Sequence, residues 1–319
     1  MAFVDVEVDR IRLRFLDACR DNNVAEAIYL LENEGADPNC RYADELGFSP
    51  LHMACENGNF RFVRYLLGKG ADPTIRSAYG STPLHHAVLC GHVDIVRYLL
   101  DVYKVDINAQ DEEGDTPVIR SYSNGNDHEC MFLLLDRGAD PSIRGYEDFN
   151  LLHSVAINND SRTMKVLLEH PSMREDVLDV LDGDGKTALN IACSYGNDEE
   201  DLLCASYLLE KGANPNIPDD LGRTPLHHAC MQANTGGFVS LLLNHDANPF
   251  LKDVSGNTPM HQACMSNRPE CIRVMLDHNV NLRLLLDDEN KRPLDIAMEE
   301  AHQDCVRALA PYTDLSVIE

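Results

Sequence analysis

A nine-residue pattern recurs along this chain at almost constant spacing, and it limits the possible folds more than any other feature. GFSPLHMAC begins at Gly47, GSTPLHHAV at Gly80, GDTPVIRSY at Gly114, GKTALNIAC at Gly185, GRTPLHHAC at Gly222 and GNTPMHQAC at Gly256. Weaker copies are DFNLLHSVA from Asp148 and NKRPLDIAM from Asn290, and successive starts lie 33, 34, 34, 37, 37, 34 and 34 residues apart. Upstream, LDACRDNNVAEAIYLLENEGADPNCR from Leu16 has the second half of the unit without its opening. A period of this size marks stacked supersecondary units, each of which buries its apolar face only against its neighbours. The expected units are 12–46, 47–79, 80–113, 114–147, 148–184, 185–221, 222–255, 256–289 and 290–312, with a tail at 313–319, forming one domain over 1–319.

Each unit reads as a helix pair. Thr82 before Pro83 suits an N-cap followed by the first helical position: the hydroxyl accepts a backbone N–H, and proline lacks the donor that would be orphaned there. The helix runs through Leu84, Ala87 and Val88, and Gly91 ends it, because glycine takes the left-handed conformation without steric penalty. HVDIVRYLL then places Val93, Val96, Leu99 and Leu100 at helical spacing. GADP at Gly35, Gly70 and Gly138, and GANP at Gly212, mark the turn into an extended finger.

In period, in the G-x-TPLH-x-A opening and in the LL-x-x-GADPN ending, the chain resembles the ankyrin repeat family over residues 14 to 310. The resemblance implies an all-α solenoid of antiparallel helix pairs with projecting β-hairpin fingers, whose first helices and fingers line a concave face. It also implies a non-enzymatic scaffold or adaptor that binds a partner protein or peptide on that face, with no cofactor. The alternative is a substrate-recognition subunit of a larger assembly such as a ubiquitin ligase. The two 37-residue spacings put three extra residues into PSMREDVLDVLDGDG and into GNDEEDLLCASY, both expected on loops.

The histidines and cysteines of GRTPLHHAC are to be weighed against that architecture. His52, His85, His153, His227 and His261 share the family's TPLH position, where the resemblance implies an imidazole that pins one unit to the next. A metal centre needs three or four converging ligands, whereas these stand one repeat apart. His86 and His228 take a place usually filled by an apolar side chain. Cys55, Cys193, Cys230 and Cys264 replace a small alanine and are expected to pack as small hydrophobes. No G-x-S-x-G elbow, HExxH or phosphate-binding loop is present. Asp182 and Asp184 in DGDG lack the distal bidentate glutamate of a calcium loop. The acid pairs read as solvated finger tips.

Fifty-three acidic against 27 basic residues leave a net charge of −26. Such a field repels a phosphate backbone and favours a basic protein or peptide over nucleic acid. Eleven scattered cysteines suggest reduced thiols. No run reaches the ~18 apolar residues of a membrane span, and MAFVDVEVDRIRLRF lacks the apolar core of a signal peptide. The expected location is cytoplasmic, also nuclear.

By resemblance, partner contacts fall on the finger tips, on the residue after the opening glycine and at the end of each first helix. These positions give Arg41, Tyr42, Phe48, Arg76, Tyr79 and Leu89 near the N-terminus, an aromatic and arginine composition typical of interface anchors. Burial of Phe48 and Leu89 between units is the competing expectation. Farther on, Asp115, Ser123, Asn124, Lys186 and Tyr195 are followed by Asp220, Arg223, Met231, Met265, Asp288 and Glu289. The acidic fingers 111–113, 219–220 and 287–289 are expected to grip a basic segment, or only to keep the surface soluble. LDVYKVDIN, ending at Asn108, resembles the substrates of an asparaginyl hydroxylase that acts on such fingers.

Overall fold

The computed structural model describes residues 5–42, 46–122, 128–196, 201–232 and 236–312. Its contacts divide the chain into two compact units, Met1–Leu151 and Leu152–Glu319. The first holds α1 (Asp5–Arg20), α2 (Val24–Asn33), α3 (Pro50–Glu56), α4 (Phe60–Gly68), α5 (Pro83–Leu89), α6 (Val93–Val102), α7 (Pro117–Tyr122) and α8 (Glu129–Asp136). The second takes up α9 (Leu151–Ile157), then α10 (Ser161–Glu169), α11 (Glu175–Leu178), α12 (Ala188–Tyr195), α13 (Leu202–Glu210), α14 (Pro225–Gln232) and α15 (Gly237–Asn244). It closes with α16 (Pro259–Met265), α17 (Pro269–His278), α18 (Pro293–Glu299) and α19 (Gln303–Leu309).

The helix starts follow from capping. Ser49 accepts the His52 N–H at the head of α3, Thr187 accepts the Asn190 N–H at the head of α12, and Pro50, Pro83 and Pro259 occupy the first helical turn. Second helices are capped by amide or carboxylate side chains instead: Asn23, Asn59 and Asp160 each accept a backbone N–H three residues on. The first helices are short and carry small residues (Ala54, Ala87, Ala229, Ala263) that are fully buried, which lets α3 pack on α5 and α5 on α7. In the second unit the same holds for α12 on α14, α14 on α16 and α16 on α18. The buried stripe of α6 is Ile95, Val96, Leu99 and Leu100, with Val93 only half-buried. Cys55, Cys193, Cys230 and Cys264 are buried among these helices.

Two expectations change. The insertion PSMREDVLDVLDGDG is not merely a loop: it contains α11, which buries Val177 and Leu178, so its extra residues extend the core. In the other insertion, residues 197–200 lie outside the described residues, as do Ser123, Asn124 and the tail at 313–319. The fingers also register no strand among the described residues: the main-chain bonds within a finger stay in its turn, such as Asp111 N–H to Asp115 O and Gly114 N–H to Asp111 O, both at 3.0 Å.

The TPLH histidines do link repeats. In His85 the Nδ1 accepts the Thr82 N–H at 3.1 Å and lies 2.9 Å from the Thr82 hydroxyl, while Nε2 donates to Asp115 O of the next repeat at 3.2 Å. His52 reaches Ser81 O, His227 Asn257 O and His261 Lys291 O in the same way. A carbonyl can only accept and a backbone N–H can only donate, so the neutral Nε2–H tautomer is required. Burial accordingly pushes His52 down to about 3, and His85 and His227 down to about 4. In the fourth repeat Ile119 takes the histidine's place, and the buried Thr116 hydroxyl has no hydrogen-bond partner.

Candidate functional site

Five fingers are organised by their first carboxylate. Asp111 Oδ1 accepts the N–H groups of Glu113 (3.1 Å) and Asp115 (3.0 Å). Asp182, Asp219, Asp253 and Asp287 do the same for residues two and four positions on. All five are buried. The second oxygen is taken by the residue nine positions later: Arg120 on Asp111 (2.8 Å), His228 on Asp219 (2.8 Å) and Gln262 on Asp253 (3.1 Å). Burial would raise Asp219, but the His228 bond and the N–H groups of Arg223 and Leu221 outweigh it and hold the carboxyl below its ordinary value. Asp111, Asp219 and Asp287 are therefore turn-builders, which corrects the reading of every finger acid as solvated. His228 completes the same turn and is no stand-in for an apolar side chain. Neighbouring fingers are joined by one main-chain bond each, Ala78 N–H to Leu46 O and Glu112 N–H to Tyr79 O at 2.9 Å, Val254 N–H to Leu221 O at 3.0 Å.

In the first unit this framework surrounds a cavity of about 570 Å³ between two fingers and the helices α5 and α7. Tyr79, His86, Leu89, Glu112, Glu113 and Arg120 contribute to its walls. Tyr79 is 52% exposed and Leu89 36%. Arg120 meets three carboxylates, Asp111 (2.8 Å), Glu113 (2.6 Å) and Asp115 (3.2 Å). Burial, which lowers a guanidinium, is overcome by the bonds to Asp111 and Glu113, so Arg120 is raised. Burial raises Asp115 against the opposing Tyr146 N–H and Arg120; this side chain is enclosed rather than presented to a partner. Among the described residues, exposed Glu112 pairs with no cation. On the inner side, the His86 ring stands edge-on to Phe48 at 4.6 Å and its Nδ1 lies 3.6 Å from Glu56, whose carboxyl is lowered mainly by that contact.

The expected anchor residues separate accordingly. Tyr79 and Leu89 line the cavity. Phe48 is half-buried against His52 and His86, Tyr42 donates to Asp17 at 2.6 Å beneath the Arg20 guanidinium, and Arg76 donates to the carbonyls of Gly80 (3.0 Å) and Gln110 (2.6 Å), tying two fingers together. Arg41 is exposed. His86 and Arg120 were not among the anchor residues, although their place nine residues after a finger Ser or Asp is readable in the sequence.

In the second unit Tyr195, Asp220 and Met265 are exposed and Met231 half-buried. Arg223 holds the turn through its backbone, donating to Asp219 Oδ1 at 2.8 Å, while its buried Nε has no partner. Lys186 pairs with Asp184 at 2.8 Å. Asp288 lies 3.4 Å from Lys252, and Glu289 3.0 Å from Lys291. Asn108 Oδ1 accepts the Asp140 N–H at 2.9 Å, bridging adjacent repeats. Among the described residues no group of three or more His, Cys, Asp or Glu side chains could hold a metal ion, and no helix is long and apolar enough to cross a membrane.

Comparison with known proteins agrees with this geometry. The family described as ankyrin repeats (3 copies) matches residues 74–145, 152–253 and 231–318, and that described as ankyrin repeats (many copies) matches residues 33–87. The chain is similar to the transient receptor potential cation channel subfamily A member 1 of Homo sapiens, 26% identical over 53% of this chain and 15% of the channel. It is similar also to the palmitoyltransferase AKR1 of Lachancea kluyveri, 30% identical over 66% of this chain and 23% of that protein. With the ankyrin repeat protein nuc-2 of Neurospora crassa the identity is 27%, over 71% of this chain and 24% of the relative. The chain thus spans less than a quarter of the length of each of these relatives. With the opening motif, the paired helices, the histidine latches and the family match all in register, the chain belongs to the ankyrin repeat family.

Proposed function

We propose that this chain is a non-enzymatic scaffold that holds an extended segment of a partner protein along its fingers and first helices, and that it favours a basic segment. Ankyrin repeats are protein-interaction modules, and the observation that carries the finer reading is the cavity beside Glu112. There an exposed aromatic ring and an exposed leucine lie next to unneutralised carboxylate. Apolar area supplies affinity, and charge supplies selectivity and encounter rate. Asp220 and Met265 extend the same chemistry on the second unit's own fingers and first helices. We also keep Asn108 as a candidate for hydroxylation, to be read by intact mass after exposure to such a hydroxylase.

Cross-linking mass spectrometry on the full chain with a captured partner tests the main reading. Cross-links to the partner should concentrate on Lys186, Lys252 and Lys291, and Tyr79→Ala with Met265→Ala should weaken capture about tenfold. Val166→Ala on the exposed side of α10 should change nothing. Capture that survives the first pair and depends on the second-helix side overturns the reading.

A further inference from the structure

The cavity has a more specific composition than a generic peptide groove requires, and the following rests on the reading that partners bind the finger face. We propose that it receives a single arginine side chain of the bound segment. Three carboxylates, those of Asp111, Glu113 and Asp115, meet the Arg120 guanidinium, and Glu112 lines the same cavity without a cation of its own among the described residues. The surplus is negative, so an anion is repelled and a cation attracted. Arg120 is already bound by Asp111 and Asp115, which hold it in place without Glu113. Glu113 is half exposed, and Glu112 is exposed beside it. An incoming guanidinium therefore finds the free carboxylate of Glu112 beside the partly exposed one of Glu113, acceptors that its planar fork of donors suits better than an ammonium does.

The rest of the cavity favours the same side chain. Tyr79 offers an exposed ring, on which a guanidinium stacks with less desolvation than lysine suffers. Leu89 offers apolar surface for the aliphatic stem. A volume of about 570 Å³ accommodates one long side chain and its flanking backbone, and lies within the range of about 300–1,000 Å³ found for specific sites. A purely apolar anchor would bury the Glu113–Arg120 pair without adding a partner for Glu112, which burial penalises.

The test uses the full chain and N-acetyl-arginine amide, with the lysine and citrulline analogues as comparisons. The methyl signals of Leu89 and the amides of Glu112 and Glu113 are followed by NMR. Saturable shifts at these positions with arginine are expected, at least threefold weaker with lysine, and absent with citrulline, which keeps the shape and loses the charge. Glu112→Gln, at an exposed position, should weaken arginine at least fivefold, whereas Asp288→Asn should leave it unchanged. Equal response to arginine and citrulline, shifts elsewhere, or no effect of Glu112→Gln overturns the proposal. Because no partner protein is used, arginine can fail here while Tyr79→Ala with Met265→Ala still weakens capture, which would remove only the arginine assignment. Arginine can equally bind as described while capture ignores this face, which would remove only the scaffold reading.

Discussion

At His227 one imidazole satisfies a backbone N–H, a hydroxyl and the Asn257 carbonyl of the next repeat. Asn190, in the same place one repeat earlier, does the equivalent with an amide: Oδ1 accepts from the Thr187 N–H and hydroxyl, and Nδ2 donates to Arg223 O at 3.2 Å. Shape and donor–acceptor order are thus what the position requires, and ring chemistry is not. His227→Ala should cost about 3 kcal/mol, since it leaves buried groups unpaired, and His227→Asn only about 1 kcal/mol; urea unfolding measures both, and equal losses would contradict the latch. The same histidines make stability pH-dependent. Their folded values, about 3 for His52 and about 4 for His85 and His227, lie below the ~6.5 of an unfolded histidine. Above pH ~6.5 both states are neutral at these sites and contribute no slope. Between ~6.5 and ~4 only the unfolded chain takes up the protons, so stability falls with falling pH by roughly 1.4 kcal/mol per unit for each histidine. Unfolding midpoints from pH 7.5 to 5 should show this slope, and the double variant His85→Asn, His227→Asn should flatten it.

Among the elements, the finger is the one whose sequence signature misleads. An acid-rich turn suggests a solvated tip, yet the first acid is buried and binds two N–H groups, and only the residues after it reach solvent. The opening glycine belongs to this construction. Gly222 has φ +73°, and a Cβ there would come within 2.9 Å of Val254 N, the atom that joins the two fingers. Gly35 has nearly the same φ, +69°, with nothing within 4 Å. Both alanine variants carry the left-handed penalty of about 1–2 kcal/mol. Gly222→Ala should lose about 2 kcal/mol more, of the order of a broken buried hydrogen bond, as read by thermal unfolding. Matching losses at the two sites would mean that the finger junction is not crowded.

On the scale of the whole molecule, contacts within each unit run between successive repeats, so stability there accumulates from neighbour to neighbour, and the long-range force is charge. With −26 on 319 residues, self-repulsion opposes the compact state. Raising salt from ~10 mM to ~150 mM shortens the screening length from about 30 Å to about 8 Å. The unfolding midpoint should therefore rise over that interval, while association with a basic segment should slow. A midpoint that drops with salt would show that attractive surface pairs such as Lys291–Glu299 outweigh the repulsion.

Helix starts, apolar stripes and the repeat period were legible in the chain because they depend on residues within a turn or two of one another: Thr82 caps a helix beginning at Pro83, and Leu99 and Leu100 share a stripe by spacing alone. The histidine latches were legible only through the resemblance to the ankyrin family, since the carbonyl that His85 or His227 reaches belongs to the next repeat. Which charges are spent and which remain free was decided only by tertiary structure. Asp111 and Glu112 are adjacent acids in the sequence, but one is buried on Arg120 and turn N–H groups while the other faces solvent. Phe48 and Tyr79 are equally aromatic, but His86 from the next repeat covers only the first. Such outcomes depend on what a neighbouring repeat brings within about 3 to 5 Å, a distance over which direct bonds and contacts act and which no spacing along the chain encodes.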